Sequence, residues 1–383
     1  MLNVVKFIHE HDDWEQLLTS APYHVRIKKG VVCKGNNNFI VTISNEVPFP
    51  KHNTNNLVLL NYSQGLSEVC EITNECRSLV LDVTDPKNCK VVRYGFYRFF
   101  NLGDPNGAKL GNNISTTEKV DGSLILLYNY KGYWHFGTRS TFDMRTDNVE
   151  ACNIEKLRKC AYQVITNTKW NINELDPNCT YCFEFVSPDF QIVVPYKEVN
   201  MYFLMCRDNI SEQEVETNIN FIRPKTYDFK TIKDIENYVS QFKGNEFEGI
   251  VVKDENNNRL KVKNLNCLEI HYLWHNGQFS DRYIIELYFQ NDYDELLTYF
   301  PNLKDRFDNV ISTYNKIKKV AELFDKLPID KVLTKKQFYA IVNRTVKEAG
   351  YQKLVLKAYD HYAYEWFCKL DSHWYSHYFL KED

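Results

Sequence analysis

The chain has 383 residues, 44% of them hydrophobic and 15% aromatic, with 47 Lys and Arg against 50 Asp and Glu. That length fits two domains and that apolar fraction fits a real core. A net charge of −3 argues against a general basic coat for nucleic acid, so any polyanion must be met by a local cluster.

Eleven Cys at irregular spacing, a polar start (M-L-N-V-V-K-F-I-H-E) and the lack of a long apolar run predict free thiols, no signal peptide and no membrane span. The expected setting is reducing, intracellular and cytoplasmic. Up to about residue 275 the texture is mixed α and β. β-rich runs occupy 91–100, 123–130, 133–138, 179–186, 191–196, 201–206, 247–254 and 258–263. Lys131-Gly132 and the Asn256-Asn257-Asn258 run predict hairpin turns within 123–138 and 247–263. Residues 146–171 and 231–243 carry helical spacing. After His275 the pattern changes: 281–300, 302–327, 334–349 and 351–370 are helical in period, punctuated by Pro301, Pro328 and Gly350.

Residues 116–124, T-T-E-K-V-D-G-S-L, place Lys119 and Asp121 in a Gly122-Ser123 break just before an apolar run. A lysine attacks phosphorus only as the neutral amine, and free lysine, with a pKa of about 10.4, is almost fully protonated at neutral pH. Neighbouring cations would have to lower that value, and carboxylates would have to serve a metal or a ribose. Candidates stand on the other strand runs. Glu184 interrupts C-F-E-F-V, and Glu248 sits in N-E-F-E-G-I-V-V-K. Lys261 and Lys263 alternate with Leu260 and Val262, so they share one strand face. Arg77 leads E-C-R-S-L-V-L, Arg98 lies in Y-R-F-F-N-L and Arg139 in G-T-R-S-T.

Each has an ordinary reading alone. A lone K-x-D-G is commonly a surface turn, an alternating K-x-K a solvated strand face, and a Glu in an apolar run a paired residue. Cys179 and Cys182, three apart on a strand, point to opposite faces and make a poor metal pair. His271 with His275 and His373 with His377 repeat a four-residue spacing, but packing accounts for both. Residues 315–319 with Lys331, Lys335 and Lys336 read as a solvated face, or less readily as phosphate contacts to a tRNA stem-loop.

The order of the motifs resembles the covalent nucleotidyltransferase superfamily of ATP-dependent ligases and capping enzymes. Lys119-Val120-Asp121-Gly122 looks like its nucleophile motif, Glu184 its third, Glu248-Gly249 its fourth and Lys261-Val262-Lys263 its fifth. E-C-R-S-L-V-L-D, R-F-F-N-L, F-E-F-V-S-P, I-V-V-P-Y and L-K-V-K-N bring it closest to the RNA ligase 1 family, the tRNA-repair ligases of T-even phages. The resemblance implies an α+β fold: a nucleotidyltransferase (adenylyltransferase) domain of antiparallel sheets with flanking helices over residues 1–275. An all-helical domain, 276–383, would follow and serve RNA specificity.

The resemblance also implies chemistry. Lys119 would take AMP from ATP as a phosphoramidate and pass it to an RNA 5′-phosphate, and a 3′-hydroxyl would then seal the strand. Glu248 would hold Mg²⁺ (or Mn²⁺), and Glu184 would touch the ribose or a metal-bound water. Lys261 and Lys263 would neutralise phosphates. Tyr62 would lie near the triphosphate, Arg77 and Arg98 would bind pyrophosphate or a 5′-phosphate, and Arg139 a phosphate of the RNA. Arg98 stands where the family has Lys, and Cys267 where a tyrosine is expected; Arg207 stays unassigned. Implied partners are RNA with 5′-phosphate and 3′-hydroxyl ends, notably cleaved tRNA, and a polynucleotide kinase-phosphatase that prepares the ends. A monomer is expected, without a membrane, in the host cytoplasm if the protein is viral. The competing readings are a DNA ligase or GTP-using capping enzyme, against which the helical tail stands, and a catalytically silent RNA-binding relative.

Overall fold

The computed structural model describes residues 1–30, 56–63, 66–144, 154–167, 170–190, 192, 194–243 and 246–264, with scattered positions beyond, 303–312 among them. The chain divides into two compact units, one of Met1–Asn148 with Asn153–Trp274, the other of Val149–Cys152 with His275–Asp383. Most of the second unit, and with it the all-helical expectation for 276–383, lies outside the described residues. So do Cys267, both His pairs and the basic stretch at 315–319.

The first unit is built on three sheets. One holds β1 (Arg26–Lys29), β2 (Leu57–Asn61), β3 (Arg77–Asp82) and β4 (Lys90–Arg93) in that order, all antiparallel. The second takes β5 (Phe100–Asn101), β6 (Ile114–Glu118), β12 (Thr226–Tyr227), β13 (Gly249–Asp254) and β14 (Arg259–Lys263). Their order is β12-β6-β13-β14-β5, and only the β14–β5 pairing is parallel. The third runs β11-β10-β9-β7-β8, from β7 (Ser123–Tyr130), β8 (Tyr133–Gly137), β9 (Cys179–Val186), β10 (Asn200–Asp208) and β11 (Glu214–Val215).

Helices cover the sheets through apolar stripes. α1 (Asn3–Glu10) turns Val4, Val5 and Ile8 inward, and α2 (Trp14–Thr19) turns in Trp14 and Leu18. Both pack on Val58, Leu60, Leu79 and Leu81 of the first sheet. Glu75, at the end of α3 (Glu71–Glu75), accepts from the backbone N–H groups of Asn3 (3.0 Å) and Val4 (2.8 Å). It thereby satisfies the orphan donors that begin α1. On the third sheet, α4 (Ile154–Thr166) places Cys160, Ala161, Val164 and Ile165 against Ile125, Leu127 and Phe183. Each large side chain so buried contributes about 1.5–3 kcal/mol. α5 (Ile232–Val239) is capped by Thr231, whose side chain accepts from the Asp234 N–H, and it buries Ile235 and Val239.

The high aromatic content goes largely into this core: Phe183, Phe203, Phe221 and Trp170 stack or meet edge to face at 4.6–5.6 Å. Cys179 and Cys182 fall in different clusters on the two sides of β9. Two strand expectations need correction. The run 91–100 is broken into β4 and β5, because residues 94–99 carry the chain from the first sheet to the second and Gly95 lies against Leu126. Among the described residues of 191–196 there is no strand; the Val194 N–H is spent on the Asp121 carboxylate instead (2.7 Å). The helix expected over 146–171 is found as 154–166, and that over 231–243 as 232–239.

Candidate active site

Lys119 occupies the four-residue link between β6 of the second sheet and β7 of the third. Its N–H donates to the Gly249 carbonyl at 2.8 Å, which extends the β6–β13 ladder by one rung. Gly122 then passes close to β9: a Cβ there would lie 2.3 Å from the Phe185 carbonyl oxygen. Asp121 is buried, accepts from Val194 N and takes its own N–H to the Tyr196 hydroxyl (3.1 Å). The K-x-D-G pattern is thus explained by position. The lysine leaves the sheet, the aspartate ties the link to residues 194–196, and the glycine allows close approach.

Opposite the lysine, Glu248 leads into β13. Gly249 has φ +152°, and a Cβ on it would sit 2.2 Å from the Val262 carbonyl oxygen. The Asn264 N–H donates to the Glu248 carbonyl (2.8 Å), and its side-chain amide donates to the carbonyls of Phe242, Lys243 and Phe247. The Glu248 carboxylate therefore has a fixed place. Its Oε1 accepts from Lys119 Nζ at 2.5 Å and lies 3.2 Å from Lys263 Nζ. Its Oε2 is buried without a hydrogen-bond partner among the described residues.

Glu184 comes from β9, in register with Leu124 on one side and Tyr202 on the other. Burial pushes its carboxyl up to about 8; Lys119 and Arg77 oppose that rise, while Glu248 and Asp121 add to it. In this state the half-buried carboxyl holds its proton at neutral pH.

A second group of charges surrounds Tyr62. Arg98 lies over its ring at 4.2 Å and Arg139 at 5.1 Å. Burial would raise this phenol, but Arg139, Arg77, Arg98 and Lys261 together hold it below the ordinary tyrosine range. Arg77 and Lys261 share the Phe99 ring, at 4.9 and 5.4 Å. Nη1 of Arg98 is buried with no hydrogen-bond partner among the described residues. Aromatic faces thus space out four cations that would otherwise repel one another.

The structure therefore brings Lys119, Glu184, Glu248 and Lys263 into one cluster, and Tyr62, Arg77, Arg98, Arg139 and Lys261 into another. Their mutual electrostatic influence runs through Arg77, which acts on both Glu184 and Tyr62. Arg207 has a packing role. It donates to the carbonyls of Gly95 and Glu212, and it joins Arg259 and Lys253 around the buried Glu214. Sequence reading missed Glu214, whose ion pairs tie β11 of the third sheet to β13 and β14 of the second. It quoted Asn264 only as the end of L-K-V-K-N and gave it no role.

The arrangement offers an open carboxylate oxygen on Glu248, a second carboxyl on Glu184 and an open guanidinium donor on Arg98. This donor set fits a hard divalent cation completed by phosphate oxygens and fits the phosphates themselves. Among the described residues no three His, Cys, Asp or Glu side chains form a complete metal cage, and no helix is long and apolar enough to cross a membrane.

Comparison with known proteins agrees. The family model described as RNA ligase matches residues 75–276, more than half of the chain. The chain belongs to the RNA ligase family. A protein of Autographa californica nuclear polyhedrosis virus, named as a bifunctional polynucleotide kinase/RNA ligase, is 30% identical over 279 residues, 68% of this chain and 40% of that protein. An RNA ligase of Rhodothermus phage RM378 is 26% identical over 162 residues, 34% of this chain and 36% of the phage protein. The chain thus spans well under half the length of these two relatives. An archaeal ATP-dependent RNA ligase structure superposes with a TM-score of 0.41 at 11% identity, over 76% of this chain and 81% of that one; a likeness so distant adds nothing to the family assignment.

Proposed function

We propose that the protein is an ATP-dependent RNA ligase that joins 5′-phosphate and 3′-hydroxyl RNA ends through a covalent lysyl-AMP. The observation that carries this reading is Lys119 Nζ held on a Glu248 oxygen that also faces Lys263, at the crossing between two sheets. Lys119 gives up a proton and attacks the α-phosphorus of ATP; a P–N bond forms and the bond to pyrophosphate breaks. An RNA 5′-phosphate oxygen then takes the adenylyl group from Lys119, and the 3′-hydroxyl of the other end displaces AMP. Little covalent chemistry is asked of the protein, so positioning and charge neutralisation supply most of the rate.

The residue roles proposed are those that the resemblance implies, and the two clusters are compatible with them. Lys263, beside the same carboxylate as Lys119, offsets the charge of the incoming phosphates. Lys261, Arg77 and Arg98 receive the β- and γ-phosphates around Tyr62, and Arg139 meets a phosphate of the RNA. Glu248 would hold a divalent cation (Mg²⁺ or Mn²⁺), which when bound supplies charge neutralisation at the phosphates, and Glu184 would meet the ribose or a metal-bound water. Arg98 in place of lysine keeps the charge and adds a planar fork for phosphate.

The baculovirus relative's name joins a polynucleotide kinase to an RNA ligase, which supports pairing of this activity with an end-preparing kinase; cleaved tRNA is the substrate that the family resemblance proposes. The division of the chain near His275 supports a separate C-terminal unit; RNA choice by that unit, a monomeric state and a cytoplasmic setting complete the proposal.

The test is transfer of α-phosphate label from ATP and, in parallel, GTP to wild type and to Lys119→Ala, followed by a chase with 5′-phosphorylated RNA or nicked DNA. Label from ATP on wild type alone, discharged into sealed RNA, is expected. Label from GTP or discharge into DNA would support the capping or DNA ligase reading, and equal label on the alanine variant would remove Lys119 as nucleophile.

A further inference from the structure

The loop after β8 carries Arg139, and its backbone is held from outside. Five consecutive carbonyls each accept from a side chain: Thr138 from Ser78 Oγ (3.3 Å), Arg139 from Asn61 Nδ2 (3.0 Å), Ser140 from Lys28 Nζ (3.3 Å), Thr141 from Arg93 Nη1 (2.9 Å) and Phe142 from the Tyr128 hydroxyl (3.0 Å). Lys28, Asn61, Ser78 and Arg93 come one each from β1, β2, β3 and β4, and Tyr128 comes from β7. Loops run over the surface, where water ordinarily serves their carbonyls. Here every strand of the first sheet supplies a donor to one loop.

Arg93 stands at the centre of this arrangement. It is fully buried, and a buried guanidinium is costly unless its N–H groups are satisfied. Nε donates to the Ser78 carbonyl (3.0 Å), Nη2 to the Ser78 hydroxyl (2.8 Å) and Nη1 to Thr141, with the Tyr128 ring centre 5.2 Å away. Gly137 makes room for it, since a Cβ there would collide with Nη1. Ser78 has φ +62°, in the left-handed region that is costly for a residue with a side chain. The Ser78 N–H donates to Asn61 Oδ1 (2.9 Å), and Asn61 donates to the Arg139 carbonyl. A continuous chain of hydrogen bonds therefore runs from Arg93 through Ser78 and Asn61 to Arg139. Asn61 and Ser78 adjoin Tyr62 and Arg77 in sequence, and Arg139 lies over the Tyr62 ring at 5.1 Å. A buried charge and a strained residue thus serve the placement of one loop against one tyrosine.

We propose that Arg93 is a positioning residue for the ligase reaction: through Ser78, Asn61 and Thr141 it fixes the 138–142 loop so that Arg139 stands over Tyr62 and meets a phosphate of the RNA strand. The task given to Arg139 rests on the ligase reading; its placement on Tyr62 does not.

The experiment is a double-mutant cycle of Arg93→Lys against Arg139→Ala, read in two ways. The first is ionisation of Tyr62, followed by phenolate absorbance with the Tyr62→Phe curve subtracted. Burial raises this phenol and Arg139 leads the charges that hold it low. Either single variant should therefore raise it, and adding Arg93→Lys to Arg139→Ala should raise it no further. The second is passage of label from isolated lysyl-AMP protein to 5′-phosphorylated RNA over a range of RNA concentrations. Arg93→Lys should raise the half-saturating concentration about tenfold, within the roughly hundredfold that a misplacement of about 1 Å can cost. It should add nothing in the Arg139→Ala background. Ser78→Ala, which removes one acceptor of Arg93 and leaves Arg93 in place, should show the same pattern at smaller size; it decides the matter if Arg93→Lys does not fold.

Additivity in either readout, or a Tyr62 ionisation that neither Arg93→Lys nor Ser78→Ala moves, would overturn the assignment and leave Arg93 a core residue. A wild type that takes no label from ATP would refute the ligase reading, while the Tyr62 titration would still decide the placement.

Discussion

Glu184→Gln separates what the site needs for chemistry from what it needs for folding. In the folded protein the Glu184 carboxyl is pushed up to about 8, chiefly by burial, whereas in an unfolded chain it titrates near 4.5. Between those two values the folded state keeps a proton that the unfolded chain has released. Stability therefore falls as pH rises through that window, and the loss is complete above about 8.

The gap between the two values sets a ceiling of about 5 kcal/mol at about 1.36 kcal/mol per pH unit. Glu184 is only half-buried, and water screening reduces the realised penalty to about 1–3 kcal/mol. Glutamine mimics the protonated acid, so the variant should match wild type at about pH 5 and exceed it at about pH 9. For a unit of this size each kcal/mol moves Tm by about 2–4 °C, which gives an expected gain of about 2–12 °C at the higher pH. Thermal unfolding without nucleotide or metal at both pH values is the assay, with ATP labelling as companion. A gain that is the same at both pH values, or a loss at high pH, would refute the assignment of a strained protonated carboxyl. Loss of labelling together with a gain in stability would mark Glu184 as a residue kept for function at a cost to the fold.

Glu214→Gln should act in the opposite sense. Burial tends to raise the Glu214 carboxyl, but Arg259, Arg207 and Lys253 hold it below the usual range. Its contribution is therefore present at neutral pH and lost as pH falls through the depressed value. The variant should lose about 2–4 kcal/mol at neutral pH and little in acid, read by denaturant unfolding at both. Gly249→Ala should cost about 2–3 kcal/mol and displace Glu248, because its Cβ would meet the Val262 carbonyl at 2.2 Å; wild-type stability and labelling in this variant would show that the backbone there yields easily. Asp121→Asn should keep the fold within about 1 kcal/mol yet slow labelling at least about tenfold, since an amide oxygen holds the Val194 N–H less strongly than a carboxylate; unchanged labelling would mean that the tie to residues 194–196 does not position Lys119.

Much of the site was legible in the sequence because its charges interrupt apolar strand runs. Glu184 in C-F-E-F-V and Lys261 and Lys263 in R-L-K-V-K could be placed on strand faces by period alone, and the strands over 179–186 and 259–263 follow that reading. The I-V-V-P-Y run misled because its apolar residues suit a strand while its backbone is engaged by Asp121, a partner more than 70 residues away. Glu214 could not be found at all. It stands in E-Q-E-V-E-T, a stretch that reads as solvent-exposed, and only the meeting of two sheets buries it among Arg207, Arg259 and Lys253.

Lys119 is covalently joined to both sheets, with β6 on one side and β7 on the other, while Glu248 belongs to the second sheet and Glu184 to the third. The link that carries Lys119 is therefore the short stretch of chain on which the two carboxyls, one from each sheet, converge. Lys119 itself is held to the second sheet by its N–H on the Gly249 carbonyl and its Nζ on Glu248, so a change in how the third sheet lies against the second would alter the approach of Glu184 and leave the Lys119–Glu248 pair in place.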